Sequence, residues 1–168
     1  MARWVIAPLY YNSDHPERWE KVWNYDHEEG IISIGWGELG NISALDEDEI
    51  REHIDKVYID PPYTPSAATT AARMLYKFFH HVKPGDTVVA RRGRKAIAGF
   101  GTVKKAGYYD RKKNRHARND RGIVYPNHLD IEWERSPRRS SFDTQVFGIL
   151  TIYELPEQKY LKLMKRRG

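Results

Sequence analysis

Apolar positions along the chain recur with two different periods, and the alternation between them outlines the fold. RWVIAPLY (3–10) is almost continuously apolar and predicts a first strand, which NSDHP ends. PERWEKVWNY then predicts a helix with Pro16 in its first turn and Asp14 or Ser13 near its cap. Trp19 and Trp23 are four apart on it, share one face and are expected to pack on the core. IISIGW (31–36) predicts a buried strand. SALDEDEIREHID (43–55) carries acids in its first turn, as a helix N-terminus favours, and PPYTP (61–65) reads as a rigid connector. A longer helix over about 66–82 follows from Ala68, Ala72, Leu75, Phe79 and Val82 at three-four spacing, and KPGD stops it.

The second half reads as β structure. TVVARRGRKAIAGFGTV (87–103) predicts a hairpin with a basic tip, and HLDIEW (128–133) alternates so that Leu129, Ile131 and Trp133 share an inward face. TQVFGILTIYEL (144–155) predicts a last strand. Between them DRKKNRHARNDRG (110–122) is expected to be a polar, basic loop with too little apolar surface to order itself alone. About six strands and two or three helices, not alternating, predict an α+β fold with a small curled sheet or partly closed barrel flanked by helices. With no internal repeat or linker, residues 1–168 are expected to form one domain, with 156–168 a helical or linker tail.

Two glycine patterns raise separate questions. Gly99 and Gly101 fall on one face of their strand, so another element approaches there closely, and the long helix is the expected occupant. Trp36 stands at a strand end between Gly35 and Gly37, with Gly40 close behind. The bulkiest side chain thus sits where its neighbours leave room.

Composition then removes whole classes. At 40% hydrophobic and 30% charged residues the chain is neither a membrane nor a disordered sequence, and it contains no cysteine, which excludes disulfides and thiolate metal sites. The N-terminus lacks a signal-peptide layout, and a cytoplasmic protein is the expectation. RRGRKAI is not a P-loop, and Gly99 and Gly101 lack the third glycine of a dinucleotide fingerprint. His80 and His81 are adjacent on a helix and diverge, which is poor for chelation, so no metal is expected. No nucleophile elbow is present, and neither catalysis nor a cofactor is expected.

Charge adds the most. The net charge of +5 conceals an asymmetry: residues 1–82 hold 7 Lys/Arg against 14 Asp/Glu, whereas residues 83–139 hold 16 against 6. The middle of the chain therefore suits a polyanion. The candidate phosphate contacts are Arg91, Arg92, Arg94 and Lys95 at the hairpin tip, Lys104 and Lys105, and Arg111, Lys112 and Lys113 with the rest of the 111–121 run; Arg138 and Arg139 are further candidates.

WVIAP, IISIGWGELGNIS, LYKFFHHVKPGDTVVARRGRKAIAGFGTV, AGYYD and HLDIEW occur in an order that resembles the PUA-like superfamily containing the EVE and YTH domains. Within it the chain is most similar to the N-terminal DNA-recognition domains of McrB-type modification-dependent restriction systems, over about residues 3–153. The resemblance implies a small curled sheet or partly closed barrel and a pocket for a modified base. It makes Trp36 one wall of an aromatic cage, whose face the flanking glycines leave open. It puts Tyr108 and Tyr109 at the second wall with Tyr125 behind them, although the YTH pattern has tryptophan at that place. Asn12, Ser13 and Asp14, just past the first strand, match the position of the polar readers of the base edge.

Stacking one base on an aromatic face is worth about 1–3 kcal/mol, and extruding it costs a few kcal/mol, so a single tryptophan breaks even and a fuller cage is required. The implied function is a non-catalytic reader of double-stranded DNA that flips a methylated base out, N6-methyladenine before 5-methylcytosine. Fusion to a motor domain and a nuclease partner subunit would complete a restriction complex. A PUA-like binder of structured or modified RNA is the alternative, and a scaffold without a nucleic-acid role leaves the basic segment and Trp36 idle. No membrane partner is expected.

Overall fold

A computed structural model of the chain describes residues 1–135 and 139–167. The elements in chain order are β1 (Arg3–Ile6), α1 (Pro16–Glu29), β2 (Ile31–Ile34), a 3-10 turn (Gly37–Leu39), α2 (Glu47–Val57), α3 (Pro65–His80), β3 (Thr87–Arg92), β4 (Ala96–Tyr109), β5 (Asn127–Trp133), β6 (Ser140–Ser141), β7 (Ile152–Glu154) and α4 (Glu157–Arg167). The fold is α+β. Seven strands form one mixed sheet in the order β2-β5-β4-β3-β1-β7, with β6 added to the start of β4. Only β1 and β3 run parallel.

The sheet is not closed into a barrel. Its edges are β2 and β7, four and three residues long, and they do not pair with each other. The expected strand over 144–155 shrinks to Ile152–Glu154 for a local reason. Phe142, Val146 and Phe147 spend their backbone N–H groups on the carbonyls of Lys95 and Arg94, so this stretch wraps the β3–β4 tip instead of extending β7. The first strand likewise ends at Ile6.

Helix ends follow local chemistry. In α2, Asp46 and Glu49 form a reciprocal capping box. In α3, Thr64 accepts from the Ala67 N–H ahead of Pro65. The cap of α1 is His15 with no side-chain hydrogen bond, so neither Ser13 nor Asp14 caps it; Pro16, which has no N–H to satisfy, starts the helix. α1 extends to Glu29 and stops at Gly30, whose left-handed φ of 68° admits few other residues.

One core lies between the sheet and helices α1 to α3. Trp4, Trp19 and Trp23 are fully buried in it, as are Ile32, Leu75 and Phe78. The occupants over Gly99 and Gly101 are side chains of α1 and β5 and not the long helix. A Cβ on Gly99 would stand 2.8 Å from the Trp23 ring of α1, and one on Gly101 would overlap Ile131 of β5 and stand 2.7 Å from Trp133. Helix α3 instead crosses β4 at Gly107, where a Cβ would lie 2.9 Å from the Phe78 carbonyl oxygen. Among the described residues no helix is long and apolar enough to cross a membrane.

The basic 110–122 segment is ordered, contrary to its composition. Its anchor is Asn114, wholly buried with a left-handed φ of 52°, a conformation asparagine tolerates better than most residues. The Asn114 amide donates to the Asp26 carboxyl and, at 3.1 Å, to Ser33 Oγ. Ser33 Oγ lies 2.7 Å from His128 Nδ1, and His128 Nε2 lies 2.8 Å from the Asp110 carbonyl oxygen. Burial lowers the pKa of His128. A neutral ring with its proton on Nε2 satisfies both contacts: Ser33 donates to Nδ1, and Nε2 donates to Asp110. A short polar chain through the core thus holds a segment that has little apolar surface of its own.

Asp26 ends that chain with one carboxyl oxygen lacking a partner, and burial holds its pKa well above the usual carboxylate range. The folded protein keeps this proton where the unfolded chain, titrating near about pH 4, releases it. The stability that Asp26 contributes is therefore full at low pH and is lost as pH rises toward the folded value. Asp26→Asn removes the titration and keeps an acceptor for Asn114. Urea unfolding at about pH 4.5 and pH 8 is expected to show the variant gaining stability relative to the wild type at the higher pH, and parallel curves would contradict the buried, protonated carboxyl.

Candidate nucleic-acid interface

Strand β2 carries four buried residues to Gly35 and delivers Trp36 in the left-handed region, φ 60° and ψ 37°. For a bulky residue this backbone is an outlier that costs on the order of 1–3 kcal/mol, and its surroundings enforce it. The flanking glycines are the reason. A Cβ on Gly37 would overlap the Val124 carbonyl oxygen and come within 2.7 Å of Ile123; one on Gly35 would stand 3.1 Å from the Tyr125 ring. These glycines therefore do not leave the Trp36 face open, as the sequence suggested. They let the 123–126 segment lie directly on the turn.

Trp36 is half-buried and lines a cleft of about 840 Å³, a size typical of small-molecule sites. Its indole Nε1 donates to the Tyr63 hydroxyl at 3.2 Å. Tyr58 lies against Tyr63 with ring centroids 5.0 Å apart, and its hydroxyl donates to Glu38 Oε2 at 2.8 Å. Asn119, from the anchored basic segment, donates its amide to Glu38 Oε1. Tyr125 completes this end of the cleft. Burial raises the phenol pKa values of Tyr58, Tyr63 and Tyr125, with the Glu38 carboxylate adding to each. All three rings are thus neutral donors at ordinary pH.

The β3–β4 tip also lines the cleft, through Arg91, Arg92, Arg94 and Lys95. Their roles differ. Arg91 is only 7% exposed, and its guanidinium donates to the carbonyls of Gly93 at 2.7 Å, Leu150 at 3.1 Å and Ile149 at 3.2 Å. It is a structural clamp on the 149–150 turn and not a phosphate contact. Arg92 bonds Glu20 at 3.0 Å and lies over the Tyr11 ring. Arg139 binds the same Glu20 at 2.9 Å, and the two arginines hold that carboxyl below its usual pKa, Arg139 contributing most. Arg94 is exposed and commits Nε to the Phe147 carbonyl at 3.0 Å, while Lys95 is exposed at the rim. Arg138 lies outside the described residues.

Other expected site residues lie apart from Trp36. Tyr108 and Tyr109 line no cleft described here. The Tyr108 hydroxyl donates to Asp130 and accepts from Lys113 Nζ at 2.6 Å, while Lys105 Nζ sits 4.2 Å over its ring. Tyr109 ends β4 opposite Asn127. The expected Tyr108 and Tyr109 are therefore not beside Trp36; Tyr58, Tyr63 and Tyr125 share its cleft instead. Lys104 pairs with Glu132 at 3.3 Å, and Arg111 and Lys112 are exposed on the loop away from the cleft.

Asn12, Ser13 and Asp14 are exposed, and none lines the large cleft. Asn12 Oδ1 accepts from the Asp14 N–H at 2.9 Å, the geometry of a turn-former. Asn12 does line a neighbouring cleft of about 490 Å³, which also contains Arg18 and Arg118 and meets the first at Leu9, Tyr10, Asn119 and Tyr125. Among the described residues no group of three or more His, Cys, Asp or Glu converges as a metal site.

Residues 13–156 match the family described as a domain of unknown function, DUF8426. The chain belongs to that family. No curated protein matches it. In this DUF8426 chain one cleft is lined by a half-buried tryptophan, five tyrosines (Tyr10, Tyr11, Tyr58, Tyr63 and Tyr125), the Glu38 carboxyl and the basic hairpin tip.

Three of the residues that carry this arrangement were hidden by their context. Tyr58 and Tyr63 flank the proline turn read only as a connector, although aromatic side chains on a rigid turn are a signal for a fixed surface. Glu38 follows the tryptophan in GWGELG, where a charge inside a glycine turn is the cue.

Arg91→Lys tests the division of labour at the tip. A lysine cannot serve three carbonyls spread along the fork of a guanidinium, so about 1–3 kcal/mol of stability should be lost in urea unfolding. Stability equal to the wild type would mean that Arg91 does not clamp the turn.

Proposed function

We propose that this DUF8426 domain is a non-catalytic reader of modified DNA, which takes a methylated base out of the duplex into the cleft beside Trp36. The observation that carries the reading is the convergence of Trp36, Tyr63, Tyr125 and the exposed Arg94 and Lys95 on one cleft. Aromatic faces accept any flat base, and a basic rim holds the phosphates that flank it. Several rings around one cleft supply more stacking than the single tryptophan that would only balance the cost of extrusion.

The same reading includes kinship with the PUA-like superfamily, of the EVE and YTH type, supported by the order of the sequence motifs and by an α+β sheet flanked by helices. N6-methyladenine is the favoured occupant and 5-methylcytosine the second. Such a reader would act in the cytoplasm as the specificity part of a modification-dependent restriction complex, with the motor and nuclease supplied by other domains or subunits. Binding of structured or modified RNA through the same cleft is the second reading, favoured by the neighbouring cleft that meets the first at Tyr10, Asn119 and Tyr125, a continuous path that suits a single strand.

Fluorescence anisotropy with matched duplexes and single strands, carrying N6-methyladenine, 5-methylcytosine or neither, tests the proposal. Trp36→Ala is expected to reduce the preference for modified DNA about tenfold while background binding persists. Arg94→Glu with Lys95→Glu is expected to weaken modified and unmodified DNA together and to flatten the salt dependence. Retention of the preference in Trp36→Ala, or a salt-independent affinity, would contradict the reading.

A further inference from the structure

The cleft carries a negative group at its aromatic end, which a site built only for stacking and phosphates does not need. Glu38 lies on the 3-10 turn directly after Trp36 and lines the cleft with it. Its two carboxyl oxygens are held separately: Oε2 by the Tyr58 hydroxyl at 2.8 Å, Oε1 by the Asn119 amide. The supports come from different parts of the chain, and each is itself fixed. Tyr58 ends α2 and rests on Tyr63, while Asn119 sits in the loop pinned by Asn114 and tied to the Asp60 carbonyl through Arg121 at 2.8 Å. A carboxylate oxygen has more than one acceptor position, so one donor on each oxygen leaves acceptor capacity over.

We infer that Glu38 is the edge reader of the cleft and selects bases that present an exocyclic amino N–H. This inference rests on the base-reading function proposed above and specifies its chemistry. A carboxylate accepts from an amino group such as that of cytosine, and repels the carbonyl that thymine presents at the same place. A fixed acceptor discriminates far better than a mobile one, because an unmatched carbonyl cannot be relieved by rotating the side chain away. N6-methyladenine keeps one N–H on its amino nitrogen and 5-methylcytosine keeps two, so both qualify. N6,N6-dimethyladenine has none and is excluded, although it offers a larger apolar face.

The role is separable from simple stacking. Trp36 and the tyrosines would treat mono- and dimethylated adenine alike or favour the larger one, whereas Glu38 ranks them the other way. It also differs from the role first assigned to Asn12, Ser13 and Asp14, none of which lines the large cleft.

The experiment uses single-stranded oligonucleotides that differ at one position, so that no pairing energy intervenes: N6-methyladenine against N6,N6-dimethyladenine, and 5-methylcytosine against thymine. The wild type is expected to bind the first of each pair about tenfold more tightly, and Glu38→Gln to compress both ratios toward one. Thermal unfolding of the variant shows that its fold is kept, and Tyr58→Phe, which releases one support of the carboxylate, is expected to give an intermediate ratio. If Glu38→Gln keeps both ratios while Trp36→Ala abolishes binding preference, the edge-reading role is overturned and the base-reading function stands. If no oligonucleotide is bound in a Trp36-dependent way, the base-reading function itself fails and the inference with it.

Discussion

The candidate site depends on one close approach of backbone to backbone. The 123–126 segment lies on the turn after β2 so tightly that any side chain at Gly37 would overlap the Val124 carbonyl. That contact presses Tyr125 onto Gly35 and brings Asn119 within reach of Glu38. It also surrounds Trp36 while the backbone there is held left-handed. The segment stays seated because Asn114 plugs into the polar chain beneath it, through Asp26, Ser33 and His128. Polar burial of this kind is costly unless fully bonded, and the unpartnered oxygen of Asp26 marks where that cost is carried.

Charge is divided along the same lines. The basic run of the sequence reads as a uniform polyanion surface, yet its members have become three kinds of residue. Arg91 is spent on carbonyls inside the protein, and Arg92 shares Glu20 with Arg139. Arg94 and Lys95 are left exposed at the cleft rim. A guanidinium already bonded by protein acceptors offers a phosphate little, so affinity for a polyanion should rest on few residues. Among the described residues Glu38 is the one carboxylate that lines the same cleft, with Trp36, Tyr58 and Tyr63.

Much of the architecture was legible in the residues. The apolar periods located α3 and the β3–β4 hairpin, Pro16 with the Trp19–Trp23 pair located α1, the acids of SALDEDEIREHID located α2, and the alternation in HLDIEW located β5 and the inward Trp133. The order of the basic loop was not legible, because it comes from one buried asparagine rather than from apolar surface, and composition cannot register a single plug. The strand expected over 144–155 was misread because its hydrogen bonds go to the hairpin tip, a partner set by tertiary structure alone. Trp36 and Tyr125 meet at one cleft, whereas Tyr108 belongs to a pair with Asp130 and Lys113. Adjacency in AGYYD suggested otherwise, but the β4–β5 register sets Tyr108 opposite His128, and neither it nor Tyr109 reaches the cleft.

The central claim is that a base leaves its stack and enters the cleft beside Trp36. A crystal structure of the domain with a short duplex carrying one N6-methyladenine measures this directly. The account predicts the methylated base extruded into that cleft, stacked on Trp36 and with its amino nitrogen within hydrogen-bond distance of Glu38. A methylated base still paired in the helix, with the Trp36 cleft empty, would contradict it.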